Sequence, residues 1–370
     1  DHRDLHLSLR RQRQMCIRDS YANGARYEGG FLNAMHHGLG TMSNPDGYIY
    51  NGDWVSGVKE GDAKVTYPDG AIYKGSIVRG AREGRGVLEM PEGLVFDGLW
   101  KDGEINGSGK LIQPNGDVYE GMLANGRRQG RGRVTYDNGD IYDGNFENDQ
   151  RHGKGSFIGS DGYEYTGNWE NGQIQGQGRV IYPDGSVYTG AFGNGLAEGE
   201  GKITYPDGSS YQGAWVAGVI EGEGLAIYPN GITYKGGFKG ARNHGFGVMR
   251  YSDGYIYEGN WQDGMRNGQG KATFADGMVY EGDYLAGRRH GKGKIQLPDG
   301  FVYQGDWENG EITGQGTATY ANGDIYEGTF VKGKRQGQGT IKFASGEEAT
   351  GSWKDGALVS TDQDGVVKEE

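Results

Sequence analysis

The residues of this chain that could do chemistry come in rows. Aromatic rings recur as Tyr165 and Trp169, Tyr211 and Trp215, Tyr257 and Trp261, Tyr303 and Trp307, four residues apart within each pair and 46 residues from one pair to the next. Rings in series offer flat apolar faces on which a partner can stack and shed water, and these eight are the candidate partner-binding groove. The same rings would equally serve as a core, because large aromatics carry most of the burial in small folds. A second row is cationic: Arg82, Arg128, Arg151, Arg266, Arg289 and Arg335 stand in equivalent places, with Arg242 and Arg288 one residue earlier. Guanidinium groups in series can grip phosphates or carboxylates in bidentate pairs, which makes Arg242, Arg266, Arg288 and Arg289 the candidate stripe for anionic headgroups. Against that stands the net charge of −12, which repels anionic membranes and nucleic acid unless a basic patch dominates locally. The competing reading of the arginines is a solvated edge with local ion pairs.

Other reactive side chains do not converge. Beyond residue 20 the histidines are His36, His37, His152, His244 and His290, and four of these five fall in one equivalent place, far apart along the chain. Neighbouring repeats of a hairpin stack stand about 10 Å apart, too far for two such histidines to share a zinc held at ~2 Å. They are read as solvated loop histidines, and no metal site is expected. No phosphate-cradling glycine loop, zinc-protease helix or nucleophile elbow is present, and the carboxylates repeat monotonously. No catalytic residue, no cofactor and no enzyme activity are expected within this stretch.

What positions the rows is a period of 23 residues. With Tyr27 as position 1, the register runs without insertion through Tyr50, Tyr73, Phe96 and onward to Tyr326, giving 14 complete repeats that end at Glu348. A partial repeat follows, with Ala349 in the aromatic place, and Tyr21 to Arg26 resembles the end of an earlier one. Glycine makes up 75 of 370 residues and sits at fixed positions: 3 and 12 in every repeat, 14 in all but one (Ala63), and 21 in all. Alternation of period two over positions 1 to 5 and 12 to 18 predicts two antiparallel strands, half-buried on the face of positions 12, 14, 16 and 18. Asn171-Gly172 and Pro183-Asp184-Gly185 supply the turns. Each repeat is then a β-hairpin, and glycines 3, 12 and 14 leave room for rings to lie against the backbone. The fold class predicted is all-β: an elongated, twisted, single-layer antiparallel sheet, a hairpin solenoid on the order of 130 Å long at ~4.8 Å per strand.

The ends fall outside the period. Residues 1–20 share nothing with it, and Arg10 to Ser20 is what a common transposase adapter of sequencing libraries encodes in one frame. They are expected to be non-native and disordered, with the front of the array and any upstream signal or domain missing. They hold five arginines against three aspartates and the single cysteine, Cys16, so the rest of the chain is two charges more negative and has no thiol. Residues 21–356 are expected to form the array, and 357–370 a polar cap and frayed tail.

The phrase Tyr-x-Gly-x-Trp-x-x-Gly-x-x-x-Gly-x-Gly, as in Tyr165 to Gly178, resembles the MORN (membrane occupation and recognition nexus) repeat, and the resemblance spans Tyr21 to Gly356. It implies a non-enzymatic scaffold that takes a protein or peptide partner along its aromatic groove, and a homodimer joined through terminal repeats. Arrays of this kind also form the non-catalytic half of plant phosphatidylinositol phosphate kinases. The alternative is therefore a phospholipid-targeting module of a larger protein, reached through the arginine stripe. The expected location is the cytoplasm, with peripheral membrane contact under the alternative.

Overall fold

The computed structural model describes residues 17–361. Every regular element among them is a β-strand, and two compact units are present, one ending at Pro183 and one beginning at Asp184. In the first, fifteen strands run from Ile17–Ser20 to Gln173–Ile181; in the second, sixteen run from Val187–Gly193 to Ala357–Thr361. Within each unit every strand pairs antiparallel with its neighbour in the chain. The predicted class holds: single-layer hairpins, all antiparallel.

One repeat explains the rest. Strands Glu164–Glu170 and Gln173–Ile181 are joined by Asn171 and Gly172 at φ of 49° and 84°. Both central residues lie in the left-handed region, the backbone of a two-residue turn whose twist suits its strands. At the opposite end, the Tyr205 amide donates to the Ser209 carbonyl (2.9 Å), and the Asp207 carboxylate accepts from the Ser209 amide (2.9 Å). Local hydrogen bonds therefore fix both reversals.

The ladder is interrupted once per hairpin. Tyr165 faces Val180 and Gly167 faces Gly178, but the next pair is Trp169 with Ile174, so the second strand carries two extra residues. Gly176, at position 12, sits in this bulge at φ 71°. Position 12 is glycine for its backbone conformation, as Gly245 makes plain: φ is 69°, yet an added Cβ would meet nothing within 4 Å. The expectation that position 12 makes room for rings is corrected. Positions 3 and 14 do make room: a Cβ on Gly270 would lie 2.7 Å from the Tyr257 ring, and one on Gly259 would lie 2.7 Å from the Gln269 carbonyl oxygen.

The ends depart from expectation in one respect. Residues 1–16 and 362–370 lie outside those described, so the disorder expected at 1–16 and the frayed tail beyond Thr361 do too. Ile17–Ser20, also expected to be disordered, is instead a strand, paired from Ile17 opposite Gly29 to Ser20 opposite Arg26. An edge strand presents unpaired backbone groups that any extended segment can satisfy, and the Tyr21–Ala25 turn directs the chain back to that edge. At the other end Ala357–Thr361 pairs with Glu348–Lys354.

Candidate functional site

The eight rings of the predicted groove are in the core. Their exposures run from 0% (Tyr257, Tyr303) to 7% (Trp215). Tyr257 meets the ring of Trp261 at 5.1 Å and 87° and that of Tyr284, in the next repeat, at 5.1 Å and 87°. Tyr211 and Tyr303, like Tyr257, are thus held edge-on between two position-5 rings, an arrangement worth about 0.5–1.5 kcal/mol per pair beyond burial. The polar atoms are used as well. Tyr165 Oη donates to the Asn168 carbonyl (2.8 Å), and Trp307 Nε1 donates to the Gly293 carbonyl (3.1 Å). Burial pushes the Tyr165 and Tyr211 hydroxyls up to about 12 and raises Tyr257 and Tyr303 too. These rings have no free face left to offer a partner.

What closes them is position 10, whose side chain lies over the position-5 ring of the following repeat. Arg82 sits 4.1 Å above the Trp100 ring, Arg151 4.3 Å above Trp169, Arg289 4.5 Å above Trp307 and Arg335 4.2 Å above Trp353. Several of these guanidinium groups also donate to a backbone carbonyl 21 residues ahead, as Arg82 does to Gly103 (2.7 Å) and Arg266 to Gly287 (3.0 Å). Where position 10 is not arginine it is most often apolar: Ala197, at 7% exposure, precedes Trp215, and the half-buried Ile174, Ile220 and Ile312 occupy the same place, while His36, Lys59 and the buried Asn243 are the polar exceptions. Arginine and isoleucine interchange here because both can cover a ring.

The arginine stripe accordingly divides. Arg266 and Arg289 are lids, half-buried over rings, whereas Arg242 and Arg288 are exposed. Arg266, Arg288 and Arg289 come together around a cavity of about 350 Å³ that Tyr255, Phe274 and Tyr284 also line; Arg242 takes no part in it. The solvated-edge reading fails for the lids.

The rings that remain accessible are others, at positions 18 and 22. In the N-terminal unit Tyr163 lies 6.2 Å from Phe157 and 6.2 Å from Tyr182. In the C-terminal unit Tyr255 lies 5.1 Å from Tyr251 and 4.8 Å from Phe274, and Phe301 lies 5.6 Å from Tyr320. All are half-exposed, and Tyr205 and Tyr228 reach 36%. Position 18 was visible in the sequence as aromatic. Its place just before the turn, where a position-10 guanidinium stands further off (Arg82 5.8 Å from the Tyr67 ring, Arg335 5.7 Å from Tyr320) than it does from a position-5 ring, is the signal that separates it from position 1. In the C-terminal unit these rings and the lids flank a groove that opens into a cavity of about 690 Å³, with Leu297, Phe301, Tyr320 and Ile341 in its walls. Asp299, Asp324 and Arg335 are at its rim.

His152 is solvated as expected, its side chain 41% exposed beside Glu147, but three other histidines are not. His36, at position 10, stacks on Tyr27 (3.7 Å, 17°) and contacts Tyr21 Oη through Nε2 (2.7 Å), and burial lowers its pKa. His244 and His290 are half-buried, each with a buried, unpartnered Nδ1. Among the described residues no group of three or more histidines, cysteines or carboxylates could hold a metal ion.

A sequence profile of the MORN repeat matches fourteen consecutive segments, from 27–47 and 50–72 through 303–325 and 326–348. The chain belongs to the MORN repeat family. No curated protein sequence matches it. Among solved structures, the TCP domain of SAS-4 from Drosophila melanogaster, in complex with a proline-rich motif of Ana2, is 17% identical, covering 48% of this chain and 85% of its own, with a TM-score of 0.22. The TCP10 domain of Danio rerio CPAP is 16% identical over 66% of this chain and 97% of its own (TM-score 0.17). Virginiamycin B lyase from Staphylococcus aureus is 12% identical over 81% and 89% (TM-score 0.13). The likeness to these three is too slight for any property of theirs to bear on this MORN array.

Proposed function

We propose that this MORN array is a non-enzymatic scaffold that binds an extended segment of a partner protein, in the groove between its position-10 lids and its position-18 and position-22 rings. The observation that carries this reading is the contrast in exposure. Position-1 and position-5 rings are closed off, while Phe301 and Tyr320 stay half-exposed at the cavity they share with Leu297 and Ile341, and Tyr255 and Phe274 at the cavity of Arg266, Arg288 and Arg289. Half-exposed aromatic anchors over an apolar floor are what hot spots in binding sites are made of. The phospholipid alternative has less to stand on, since Arg266 and Arg289 already spend their guanidinium faces on rings.

The test begins with linear peptides selected from a random library on the full chain. Tyr255→Ala and Tyr320→Ala are expected to weaken the selected peptides by ~1–3 kcal/mol each, with the melting temperature held. Phe246→Ser, which removes a ring 58% exposed on the opposite face, is expected to leave binding unchanged. The reverse pattern would move the site to that opposite face.

A further inference from the structure

The two cavities in the groove of the C-terminal unit are equivalent places two repeats apart. Asp253, Tyr255, Phe274 and Arg289 of one correspond to Asp299, Phe301, Tyr320 and Arg335 of the other, each 46 residues on. Their charge differs.

The first cavity gathers Arg266, Arg288 and Arg289 against the single carboxylate of Asp253. Arg288 is exposed and forms no ion pair or side-chain hydrogen bond among the described residues. The second is walled by Leu297, Phe301, Tyr320 and Ile341 and rimmed by Asp299 and Asp324. Its one cation, Arg335, is committed to the Trp353 ring (4.2 Å) and the Gly356 carbonyl (2.6 Å). The two aspartates accept only from neutral groups: the Phe301 amide (2.9 Å) for Asp299, and the Ala344 amide (2.9 Å) and Asn322 Nδ2 (2.8 Å) for Asp324. The residue that corresponds to Asp324 46 positions earlier in the chain is Met278, which carries no charge.

From this we infer that the groove selects a bipolar segment. A carboxylate side chain sits against the exposed Arg288, beside Arg266 and Arg289, which are themselves held by rings, the Tyr255 hydroxyl and the Gly287 carbonyl, and a large apolar side chain next to a lysine or arginine enters the cavity of Leu297, Phe301 and Tyr320. Four strands at ~4.8 Å separate the two places by about 19 Å, which an extended chain spans in about five or six residues. The inference rests on the peptide-groove reading and adds to it the order and spacing of charge.

The experiment uses the full chain and fluorescein-labelled twelve-residue peptides in a Ser/Thr/Gly background. Two parents carry Glu and Phe-Lys about six residues apart, one in each chain direction; in two derivatives of each, Glu becomes Gln or Phe becomes Ser. One parent is expected to bind at least about tenfold more tightly than both of its derivatives, as charge-assisted and anchored contacts do. Arg288→Glu, at an exposed position, is expected to keep the melting temperature, erase the advantage of Glu over Gln, and favour a peptide with Lys in that place. If each parent binds no better than its Gln and Ser derivatives while Tyr320→Ala weakens them all, the bipolar inference falls and the groove reading stands. If no peptide binds in either direction, both fall. Binding of phosphatidylserine vesicles that Arg288→Glu abolishes, without discrimination among peptides, would overturn the inference in favour of a membrane surface.

Discussion

Each of the repeats around Tyr251 to Tyr284 carries two sets of rings, and the sets live in different surroundings. Tyr257 and Trp261 are exposed by 0% and 6%, with glycines beneath them and neighbouring rings on either side. Tyr251 and Tyr255 are equally aromatic and nearly adjacent in the chain, yet they stay half-exposed at the turn end. What separates the sets is who covers them. A position-5 ring is closed by a side chain 18 residues earlier, as Trp353 is by Arg335 at 4.2 Å, whereas the turn-end rings have each other and a guanidinium only at their edge, as Arg266 donates to Tyr255 Oη (2.6 Å) and Arg335 stands 5.7 Å from Tyr320. Aromatic content alone therefore does not distinguish core from binding surface in such a sheet; the neighbour across the ladder does.

The largest test of this contrast is alkaline pH. Tyr119, Tyr142, Tyr165, Tyr211 and Tyr280 are pushed up to about 12 by burial, against about 10 in an unfolded chain. A raised folded-state pKa means the folded chain holds protons that the unfolded chain releases, so this stabilisation is complete below about pH 10 and is lost as pH rises toward 12. Unfolding followed by circular dichroism should be independent of pH from neutrality to about 9 and then cooperative, with tyrosinate absorbance rising in the same step. Early, gradual tyrosinate formation without loss of structure would mean that the position-1 rings are open.

Next in size is a pair of truncations. Trp261→Ala should cost ~3–5 kcal/mol, as large buried rings do, and Tyr251→Ala less than ~1 kcal/mol, both read from urea midpoints. Equal costs would erase the distinction between the sets.

The smallest effect sharpens the role of the lid. Arg335→Ile should change stability by less than ~1 kcal/mol, because isoleucine fills this place at Ile174, Ile220 and Ile312. Arg335→Ser, which uncovers Trp353 and releases the Gly356 carbonyl, should cost about 1–2 kcal/mol.

Hairpins and turns were legible in the sequence because their causes are local: Asn171-Gly172 and Asp207 with Ser209 act within a few residues. The strand alternation was legible up to the bulge. Gly176 lies inside the bulge at φ 71°, where the strand pleat is broken and a Cβ would meet Asn168 rather than a ring, so counting by twos from Gly178 does not place position 12 on the aromatic face. The candidate groove was misplaced for a related reason. Burial of Trp169 comes from Arg151, and that of Trp307 from Arg289, each in the preceding repeat, which the pattern of a single hairpin does not contain. Arg266 and Arg289 were legible as part of a row, but the rings they cover were not.

The strand Ile17–Ser20 has a consequence for handling the protein. Its residues share nothing with the repeats, yet it pairs residue for residue with Arg26 to Gly29. The end of such a sheet reads backbone and ignores side chains. An affinity tag or linker fused ahead of Tyr21 would then be recruited as an extra rung, shielded from resin and protease alike, unless prolines are written into it to refuse the ladder.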